Sequence, residues 1–336
     1  MLINNIDYPD ELVEAIQNNK LVIFAGAGVS MGAPTSLPSF AELSDQIFKL
    51  TNIDRLENEA EEQYLGRVND LGHTVQKYVC EILNNKNLNP NFYHKTLIEL
   101  FSNNDVKIVT TNYDLMFEKS LGECNVDIYS YPALPHGDKI KGIIHLHGNV
   151  LKSEDIVLTD ADFGKAYMYY KNATNFLKQL FESDYIILFV GYSYSDIVLK
   201  YFTKALPALP NNKRFIFANE SQVEEFTMMG LTPLVYKDGD YEQIYSSISR
   251  LSKLVNRDEN RWNVRLMELA ELIPNKLNEE FNYEIKQIFN NVHFQTRFLK
   301  TIKNKAWAVY LFEMGYFDDI FSTNQLKDSS IKRVEW

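Results

Sequence analysis

The sequence is short of cysteine and of positive charge, and each shortage excludes a class of protein. Its two cysteines, Cys80 and Cys124, form no Cys-x-x-Cys pair, so their number rules out a four-cysteine zinc site. Scarce cysteine is typical of the reducing cytosol, and we expect a cytoplasmic protein. Lysine and arginine total 34 against 45 aspartate and glutamate, which gives a formal net charge of −11. This balance argues against a protein that binds duplex nucleic acid non-specifically.

Long hydrophobic segments are missing as well. No apolar run approaches the roughly 20 residues of a membrane-spanning helix, so we expect no membrane contact. Residues 1–7 lack a basic region followed by a long apolar one, and no secretion signal is expected. The 336 residues are 45% hydrophobic, which suffices for one large α/β domain with a smaller unit or for two domains.

Leu21–Gly32 changes from a strand pattern into a run of small residues. Leu21–Ala25 is rich in β-branched and aromatic types, as in a buried strand, and Gly26–Ser30 reads Gly-Ala-Gly-Val-Ser. Glycines there would leave backbone N–H groups open to a ligand, and a helix beginning near Ser30 would add its positive dipole end, which suits a pyrophosphate. A buried strand that ends in a tight turn is the simpler alternative, because Gly-x-Gly alone is a weak motif.

Further apolar strands alternate with helical patterns, which predicts an α/β fold with a parallel sheet covered on both faces by helices. We place these strands at residues 106–111, 142–148, 185–190, 214–218 and 231–236. Among the helices, Tyr64–Ile82 and Phe163–Phe181 are each predicted as one helix. Ligands bind at the carboxyl ends of the strands in such sheets, and here five strand ends carry small or polar residues.

The last quarter of the chain has a different pattern. From about Val255 no strand pattern appears, so we divide the chain into residues 1–255 and a helical C-terminal extension of residues 256–336. Apolar positions within Leu277–Val292 and Trp307–Met314 have helical spacing. We expect these faces to pack on the preceding domain or between protomers, so that the extension serves oligomerisation, regulation or partner contact.

Two polar residues follow the second predicted strand of the sheet. Asn112 and Asp114 lie two positions apart, so they would point to one face if the strand geometry persisted. They could equally form a turn or cap a helix that begins near Leu115, because both residue types cap helices well. The sequence pattern alone leaves both interpretations open.

The histidines fall into two groups. His145 and His147 share a face of their strand, and His147 lies at its end, where it could reach a cleft. His145 lies deeper, and we expect it to be a hydrogen-bonded core residue. A metal site is not expected, because no third ligand follows this pair at a fixed spacing. His94, near a predicted helix start, is interpreted as structural or solvent-facing.

Four motifs, in chain order, resemble those of the sirtuin family. They are Gly26–Ser30, Thr111-Asn112-Tyr113-Asp114, Leu146-His147-Gly148 and Gly191-Tyr192-Ser193, and Asn219 follows a later strand as an asparagine does in the family. The resemblance covers roughly residues 15–250. It implies a Rossmann-like domain that binds NAD, and a reaction that breaks the bond between nicotinamide and ribose.

The resemblance also implies a role for each matched residue. Asn112 would hold the nicotinamide-side ribose, Asp114 would help to seat the carboxamide, and His147 would be the general base. The other implied NAD contacts are Gly26, Ala27, Gly28 and Ser30 at the pyrophosphate, Gly191 and Ser193 beside the phosphates, and Asn219 at the adenosine ribose.

The chain departs from the deacylase pattern of that family. The family's zinc module is missing, since Lys152–Lys178 contains no cysteine, and its Pro-Asp-Phe-Arg segment is Pro-Ser-Phe-Ala at Pro38–Ala41. These departures, with Gly-Tyr-Ser-x-Ser-Asp ending at Asp196, resemble the bacterial sirtuin-like NAD hydrolases of anti-phage defence. The resemblance implies a zinc-free hydrolase that converts NAD into ADP-ribose and nicotinamide and depletes it during abortive infection.

Two alternative functions stay open, an NAD-dependent protein deacylase and a non-catalytic sensor that binds NAD or ADP-ribose. Because an enzyme that consumes NAD would poison its host, we expect restraint by a homo-oligomer or by a regulatory partner protein encoded nearby. Two residues also keep two interpretations each. Asp196 could cap a helix or contact a ribose hydroxyl, and Phe40 could cover the ribose or belong to the core or a lid.

Overall fold

A parallel β-sheet forms the centre of the computed structural model, which describes residues 1–84, 87–101, 105–192 and 214–317. The strands are β1 (Leu2–Ile3), β2 (Ile6–Asp7), β3 (Leu21–Ala25), β4 (Lys107–Thr110), β5 (Ile128–Ser130), β6 (Gly142–His145), β7 (Ile186–Val190), β8 (Arg214–Ala218) and β9 (Thr232–Val235). Within the described residues, seven of them form one parallel sheet in the order β5-β6-β4-β3-β7-β8-β9. The predicted parallel α/β fold is confirmed.

Strand β3 lies in the middle of this sheet and is buried along its whole length. Ile23 lies between Ile108 of β4 and Leu188 of β7. Val22 and Phe24 point the other way, because side chains alternate along a strand, and they join a buried cluster with helix residues such as Phe176. A strand covered on both faces needs apolar residues at successive positions, which explains why Leu21–Ala25 is a continuous apolar run.

Helices connect the strands of the sheet. They are α1 (Asp10–Gln17), α2 (Gly28–Met31), α3 (Phe40–Thr51), α4 (Glu61–Asp70), α5 (Val75–Leu83), α6 (Phe92–Ile98), α7 (Met116–Leu121), α8 (Asp160–Phe163), α9 (Asn172–Glu182), α10 (Val223–Met228) and α11 (Tyr241–Val255). Short 3₁₀ turns lie at Ser153–Asp155 and Glu220–Gln222, and a π-helix lies at Gly164–Tyr169. Helices α3, α4 and α5 lie between β3 and β4 and form a second hydrophobic cluster together with later residues such as Tyr113, Met116 and Leu158.

Two helices predicted as continuous are interrupted. Tyr64–Ile82 divides into α4 and α5, because Gly72 between them takes a φ of +97°, a left-handed conformation that ends a helix. Phe163–Phe181 divides at Lys171, where φ is +60°, and its first part is π-helical. In both cases the hydrophobic spacing continues across the break, so periodicity alone could not locate it.

The described chain divides into two compact units. The sheet unit is Ile3–Asn256, and the helical unit begins at Arg257 and also holds Met1–Leu2. The helical unit contains α12 (Glu259–Glu271), α13 (Glu279–Phe289), α14 (Val292–Thr301) and α15 (Ala306–Glu313). Among the described residues, no helix combines the length and the apolar character that crossing a membrane requires.

The helical unit has its own hydrophobic core. Ile285 of α13, Phe298 of α14 and Trp307 of α15 are fully buried against one another. The core positions of these apolar faces are therefore buried within the helical unit, and contact of this unit with the preceding domain or a second protomer stays a prediction. Leu277 and Val292, predicted on the same buried face, are 93% and 76% exposed, because both lie at or outside helix starts.

Candidate active site

A cavity of about 1530 Å³ opens at the carboxyl ends of the central strands. The chain passes from β3 to β4 on one side of it, and after β6 it crosses to β7 on the other side of β3, so the cavity lies where the strand order reverses. Doubly wound α/β proteins bind their ligands at this point. The lining residues from these strand ends include Ala27, Gly28, Ser30, Asn112, Asp114, His147 and Gly191.

Three glycines bring the backbones after β3 and β7 together at one wall of the cavity. A Cβ on Gly26 would lie 2.8 Å from the carbonyl oxygen of Gly191, and one on Gly28 would lie 2.9 Å from its Cα. Gly191 itself has a φ of +74°. The glycines are therefore required for the contact between the two loops, and Gly28 and Gly191 line the cavity while Gly26 does not.

Ser30 is the centre of a buried polar cluster beside this wall, which we call the cavity cluster: Ser30, His94, Asn112 and Asp114. The Ser30 hydroxyl lies 2.9 Å from Asp114 Oδ2, 3.1 Å from His94 Nε2 and 3.3 Å from Asn112 Nδ2. It donates its proton to the carboxylate and accepts from the amide, because an amide nitrogen can only donate. The cluster joins elements that are far apart in sequence.

The side chain of Asn112 is bonded through its nitrogen, and its amide oxygen is left for a ligand. Its Nδ2 donates to the carbonyl of Gly26 at 3.1 Å and to Ser30, which fixes the orientation of the amide, since a carbonyl only accepts. No described residue forms a hydrogen bond with its Oδ1. Because Asn112 lines the cavity, this oxygen is available to accept a hydrogen bond from a ligand hydroxyl.

Asp114 fits both interpretations of its sequence position, since it caps a helix and also faces the cavity. Its Oδ1 accepts from the backbone N–H of Met116 at 3.0 Å, as a residue before a helix does, and its Oδ2 accepts from Ser30. Burial raises the pKa of Asp114, and the bonds from Met116 and Ser30 act against that rise. The residue thus stabilises the start of α7 and also lines the cavity.

His94 is the cluster member that the sequence analysis missed. Asn91 caps α6 by accepting from the N–H groups of Tyr93 and His94, and its own amide donates to the carbonyl of Val29 at 2.8 Å. This double use of Asn91 holds α6 against α2 and brings His94 to Ser30. His94 is fully buried, burial lowers its pKa to about 4, and its Nδ1 has no hydrogen-bond partner among the described residues.

His145 is a hydrogen-bonded core residue, as predicted. Its Nδ1 donates to the carbonyl of Asn112 at 3.1 Å, and its Nε2 bonds Glu118 at 2.6 Å. Burial acts to lower the pKa of His145, but the bonds to Glu118 and Asn112 raise it above its ordinary value. His145 therefore supports the backbone at Asn112 from behind.

His147 lies just beyond the end of β6, with 3% of its surface exposed, and lines the cavity. Its carbonyl accepts from the N–H of Val157 at 2.9 Å. Gly148 after it takes a φ of +81°, and a Cβ there would lie 2.4 Å from the Asp155 carbonyl oxygen, so both the backbone conformation and the space require glycine. Its Nε2 lies 2.6 Å from the hydroxyl of Tyr167. Burial lowers the pKa of His147 to about 3, so its ring is neutral at neutral pH.

Some of the predicted site residues are not brought to the cavity. Asn219 is absent from its lining, since its side chain donates to Asp238 at 2.8 Å and accepts from Ser221 at 2.7 Å. Ser193 and Asp196 lie outside the described residues. Phe40 does line the cavity, at the first position of α3. Within the described part of the chain, no group of three histidine, cysteine or acidic residues is arranged to hold a metal ion.

The sheet order, the glycine contact and the cavity at the reversal point define a doubly wound α/β protein. Residues 106–228 match the family model described as SIR2-like domain. The matched segment includes Asn112, His147, Gly191 and Asn219 and begins after Gly26–Ser30. The resemblance to the sirtuin family that the motifs predicted is confirmed.

Two curated relatives match most of the chain at low identity. One is the protein y4cA of Sinorhizobium fredii, described as uncharacterized, which is 25% identical over 84% of this chain and 26% of its own length. The other is defense-associated sirtuin 2 of Bacillus subtilis, 24% identical over 99% of this chain and 35% of its own length. The chain thus spans about a quarter to a third of the length of these relatives.

A solved structure from work on the mechanism and regulation of Sir2 enzymes also matches. Its TM-score is 0.40 and its identity 13%, over 75% of this chain and the whole of that one.

Proposed function

We propose that this protein is an NAD⁺ hydrolase that releases nicotinamide from NAD⁺ and, in its host, depletes NAD during anti-phage defence. The observation that carries the proposal is the lining of one cavity, which holds the Ala27–Ser30 loop, the unpaired amide oxygen of Asn112 and the ring of His147. A pyrophosphate, a ribose and a reacting water need these three kinds of group. The name of the Bacillus subtilis relative supports the defence role.

The reaction needs a positioned ribose and a proton acceptor. The bond between ribose C1′ and the nicotinamide nitrogen breaks, and neutral nicotinamide leaves with the electron pair. The oxygen of a water forms a bond to C1′, and His147 takes a proton from that water. Asn112 accepts a hydrogen bond from a ribose hydroxyl, and Ser30 and Asp114 lie beside the carboxamide. Overall, NAD⁺ and water give ADP-ribose, nicotinamide and a proton.

The buried environment of His147 leaves its ring neutral, which suits a proton acceptor, but it also makes the ring a weak base. Its neutral ring at pH 7 has a free lone pair, as a base requires. A pKa of about 3 makes it a weak base, since the most effective catalytic pKa lies near the working pH. Because desolvation causes the shift, water entering the cavity would raise this pKa toward its ordinary value.

The deacylase and the sensor are the competing functions. A deacylase would need a second binding region for an acyl-lysine peptide, and the segment that carries the zinc module in that family is here the cysteine-free stretch Lys152–Lys178. A sensor would need no proton acceptor in the cavity. The cysteine-free stretch therefore favours hydrolysis over deacylation, and the proton acceptor His147 favours hydrolysis over a sensor.

The decisive experiment incubates the purified protein with NAD⁺ and no acylated peptide and measures nicotinamide. We expect release, and we expect His147→Ala to lower its rate by about 10²–10⁴-fold, the usual cost of removing a general base. ADP-ribose affinity, measured by calorimetry, should persist, since the Ala27–Ser30 loop is unchanged. His293→Ala, an exposed histidine of the helical unit, is the matched control and should behave as the wild type.

The other outcomes identify the competing functions. Release that requires an acyl-lysine peptide would establish the deacylase, and NAD binding without release would establish the sensor. We further propose a zinc-free, cytoplasmic enzyme whose resting form is restrained by a homo-oligomer or a partner protein encoded nearby. Light scattering on the purified protein, alone and after co-expression with neighbouring gene products, tests that restraint.

A further inference from the structure

We infer that Tyr167 is a positioning residue for His147: its phenol oxygen accepts the Nε2–H of the imidazole and so keeps the lone pair on Nδ1, the nitrogen that takes the proton. This inference rests on the proposed function, in which His147 is the base. Nothing in the sequence motifs points to Tyr167, because it lies outside all of them.

Two aromatic rings hold the imidazole in place. Phe163 and Tyr167 are stacked, with ring centroids 5.9 Å apart and an angle of 12° between the planes. The His147 ring meets both of them edge to face, at 5.2 Å and 5.9 Å and at 83° in each case. The hydroxyl of Tyr167 then lies 2.6 Å from Nε2. Ring contacts and hydrogen bond together leave the imidazole one orientation.

The backbone around Tyr167 is unusual in a way that serves this contact. Gly164–Tyr169 forms a π-helix, which is rare and is frequently found at functional sites. Thr174 of α9 donates to the Tyr167 carbonyl at 2.6 Å and ties the end of this segment to the next helix. Tyr169 and Tyr170, on the same stretch, are 78% and 59% exposed, so Tyr167 is the tyrosine of the three that turns inward.

The direction of the hydrogen bond decides whether His147 can act. A neutral imidazole carries a hydrogen on one ring nitrogen and a free lone pair on the other. The hydrogen bond at one nitrogen determines which nitrogen carries the hydrogen. If Tyr167 donated, Nδ1 would carry the hydrogen and could take no proton from water. If Tyr167 accepts, Nδ1 has the lone pair, and no described residue forms a hydrogen bond with it. Only the second arrangement supports the proposed reaction.

The same contact stabilises the product of the proton transfer. The water oxygen bonds to C1′, the nicotinamide nitrogen keeps the electron pair of the broken bond, and the water proton moves to Nδ1. The imidazolium then has hydrogens on both nitrogens, and its Nε2–H still has the phenol oxygen as acceptor. That hydrogen bond becomes charge-assisted and hence stronger as the reaction proceeds.

The kinetic test compares Tyr167→Phe with Tyr169→Phe. Both remove one hydroxyl from the same π-helix, but only the first removes the contact with His147. We expect Tyr167→Phe to lower kcat by about 10–100-fold, the loss of one hydrogen bond to a charged group, with KM for NAD⁺ changed less than about twofold. Tyr169→Phe should match the wild type. An unchanged or raised kcat in Tyr167→Phe would overturn the inference, and a raised kcat would show that Tyr167 blocks the site.

A spectroscopic test gives an answer even if the purified protein does not hydrolyse NAD⁺. Nitrogen-15 labelling of the six histidines, with the His147 signals assigned by their loss in His147→Gln, reports which ring nitrogen carries the hydrogen. We expect the Nε2–H form in the wild type and a shift toward Nδ1–H in Tyr167→Phe, because a buried Nε2–H without an acceptor is costly. An Nδ1–H form in the wild type would overturn the inference. Failure to hydrolyse NAD⁺ would refute the proposed function and leave this measurement intact.

Discussion

Among the described residues, each unit buries a polar cluster around one carboxylate, and the two carboxylates are bonded in opposite ways. In the helical unit, the carboxylate of Glu284 bonds Arg257 at 2.5 Å and Arg265 at 2.8 and 2.9 Å, so both of its oxygens face cations. In the cavity cluster, Asp114 receives only a hydroxyl and a backbone N–H, and none of the described lysines or arginines forms an ion pair with it.

We interpret the difference as that between a structural cluster and the cluster that we propose binds a ligand. Glu284 needs nothing from outside, because its charge is neutralised where it lies. The cavity cluster keeps two atoms without partners among the described residues, the Oδ1 of Asn112 and the Nδ1 of His94. Of these two residues only Asn112 lines the cavity, so its Oδ1 is the atom that could accept a hydrogen bond from a ligand.

The largest expected effect is in the helical unit. Glu284→Gln leaves Arg257 and Arg265 without their carboxylate and should lower the free energy of unfolding of this unit by about 3 kcal/mol. All three tryptophans, Trp262, Trp307 and Trp336, lie after Asn256, so tryptophan fluorescence during urea unfolding reports this unit.

The matched control in the helical unit is Glu268→Gln. Glu268 pairs with Arg265 at the surface, where an ion pair contributes less than about 1 kcal/mol. If both variants unfolded at the wild-type urea concentration, Glu284 would not be the structural centre that its geometry indicates.

The second effect is the pH dependence of the sheet unit. The folded-state pKa of His94, about 4, lies below its ordinary value of about 6.5, so below pH 6.5 the unfolded chain takes up the proton first. Its contribution to stability is complete above pH 6.5 and is lost as the pH falls toward 4. Between pH 7.5 and 5 we expect a loss of about 2 kcal/mol from His94.

Hydrogen exchange of peptides from β3 and β4 measures this loss, since those strands carry the loops of the cluster. His94→Gln keeps an N–H donor toward Ser30 but removes the titrating group. Between pH 7.5 and 5 the free energy of unfolding of this variant should therefore fall by about 2 kcal/mol less than that of the wild type. His147, with its pKa of about 3, contributes in the same direction in both proteins, and Asp114, whose pKa is raised, opposes it in both. Equal slopes in wild type and variant would contradict the buried, neutral state of His94.

The smallest effect on stability is expected at Asp114, where a carboxylate is replaced by an amide as in Glu284→Gln. Asp114→Asn removes a buried charge that has no cation partner, and an amide oxygen can still accept from Ser30 or Met116. Its free energy of unfolding should lie within about 1 kcal/mol of the wild type, while nicotinamide release falls sharply. A loss as large as that of Glu284→Gln would mean that Asp114 is only a helix cap.

The sheet was predictable because its cause is local in sequence. A strand buried on both faces must be apolar at successive positions, and Leu21–Ala25 and Ile186–Val190 show this directly. Strand β5 was missed, since Ile128–Ser130 is short, lies at the sheet edge and is partly exposed, so it carries no continuous apolar run. The breaks at Gly72 and Lys171 were missed because hydrophobic spacing runs through them.

The presence of Asn112 and His147 in the cavity lining was predictable, because both belong to motifs at strand ends. His94 and Tyr167 escaped because their roles depend on tertiary contacts. His94 reaches Ser30 only because Asn91 ties α6 to α2, and Tyr167 reaches His147 only because a π-helix turns it inward. Neither contact leaves a periodic or compositional signal in the sequence.

Because β3 lies in the middle of the sheet, the candidate site can form only at a late stage of translation. Leu21 pairs with Ile186, and the glycines after β3 contact Gly191, so one wall of the cavity is made by residues that the ribosome adds much later. A nascent chain released before β7 carries the Gly26–Ser30 loop with nothing opposite it. If the protein consumes NAD⁺, translation products that end before β7 therefore lack one wall of the candidate site, and we expect them to be inactive.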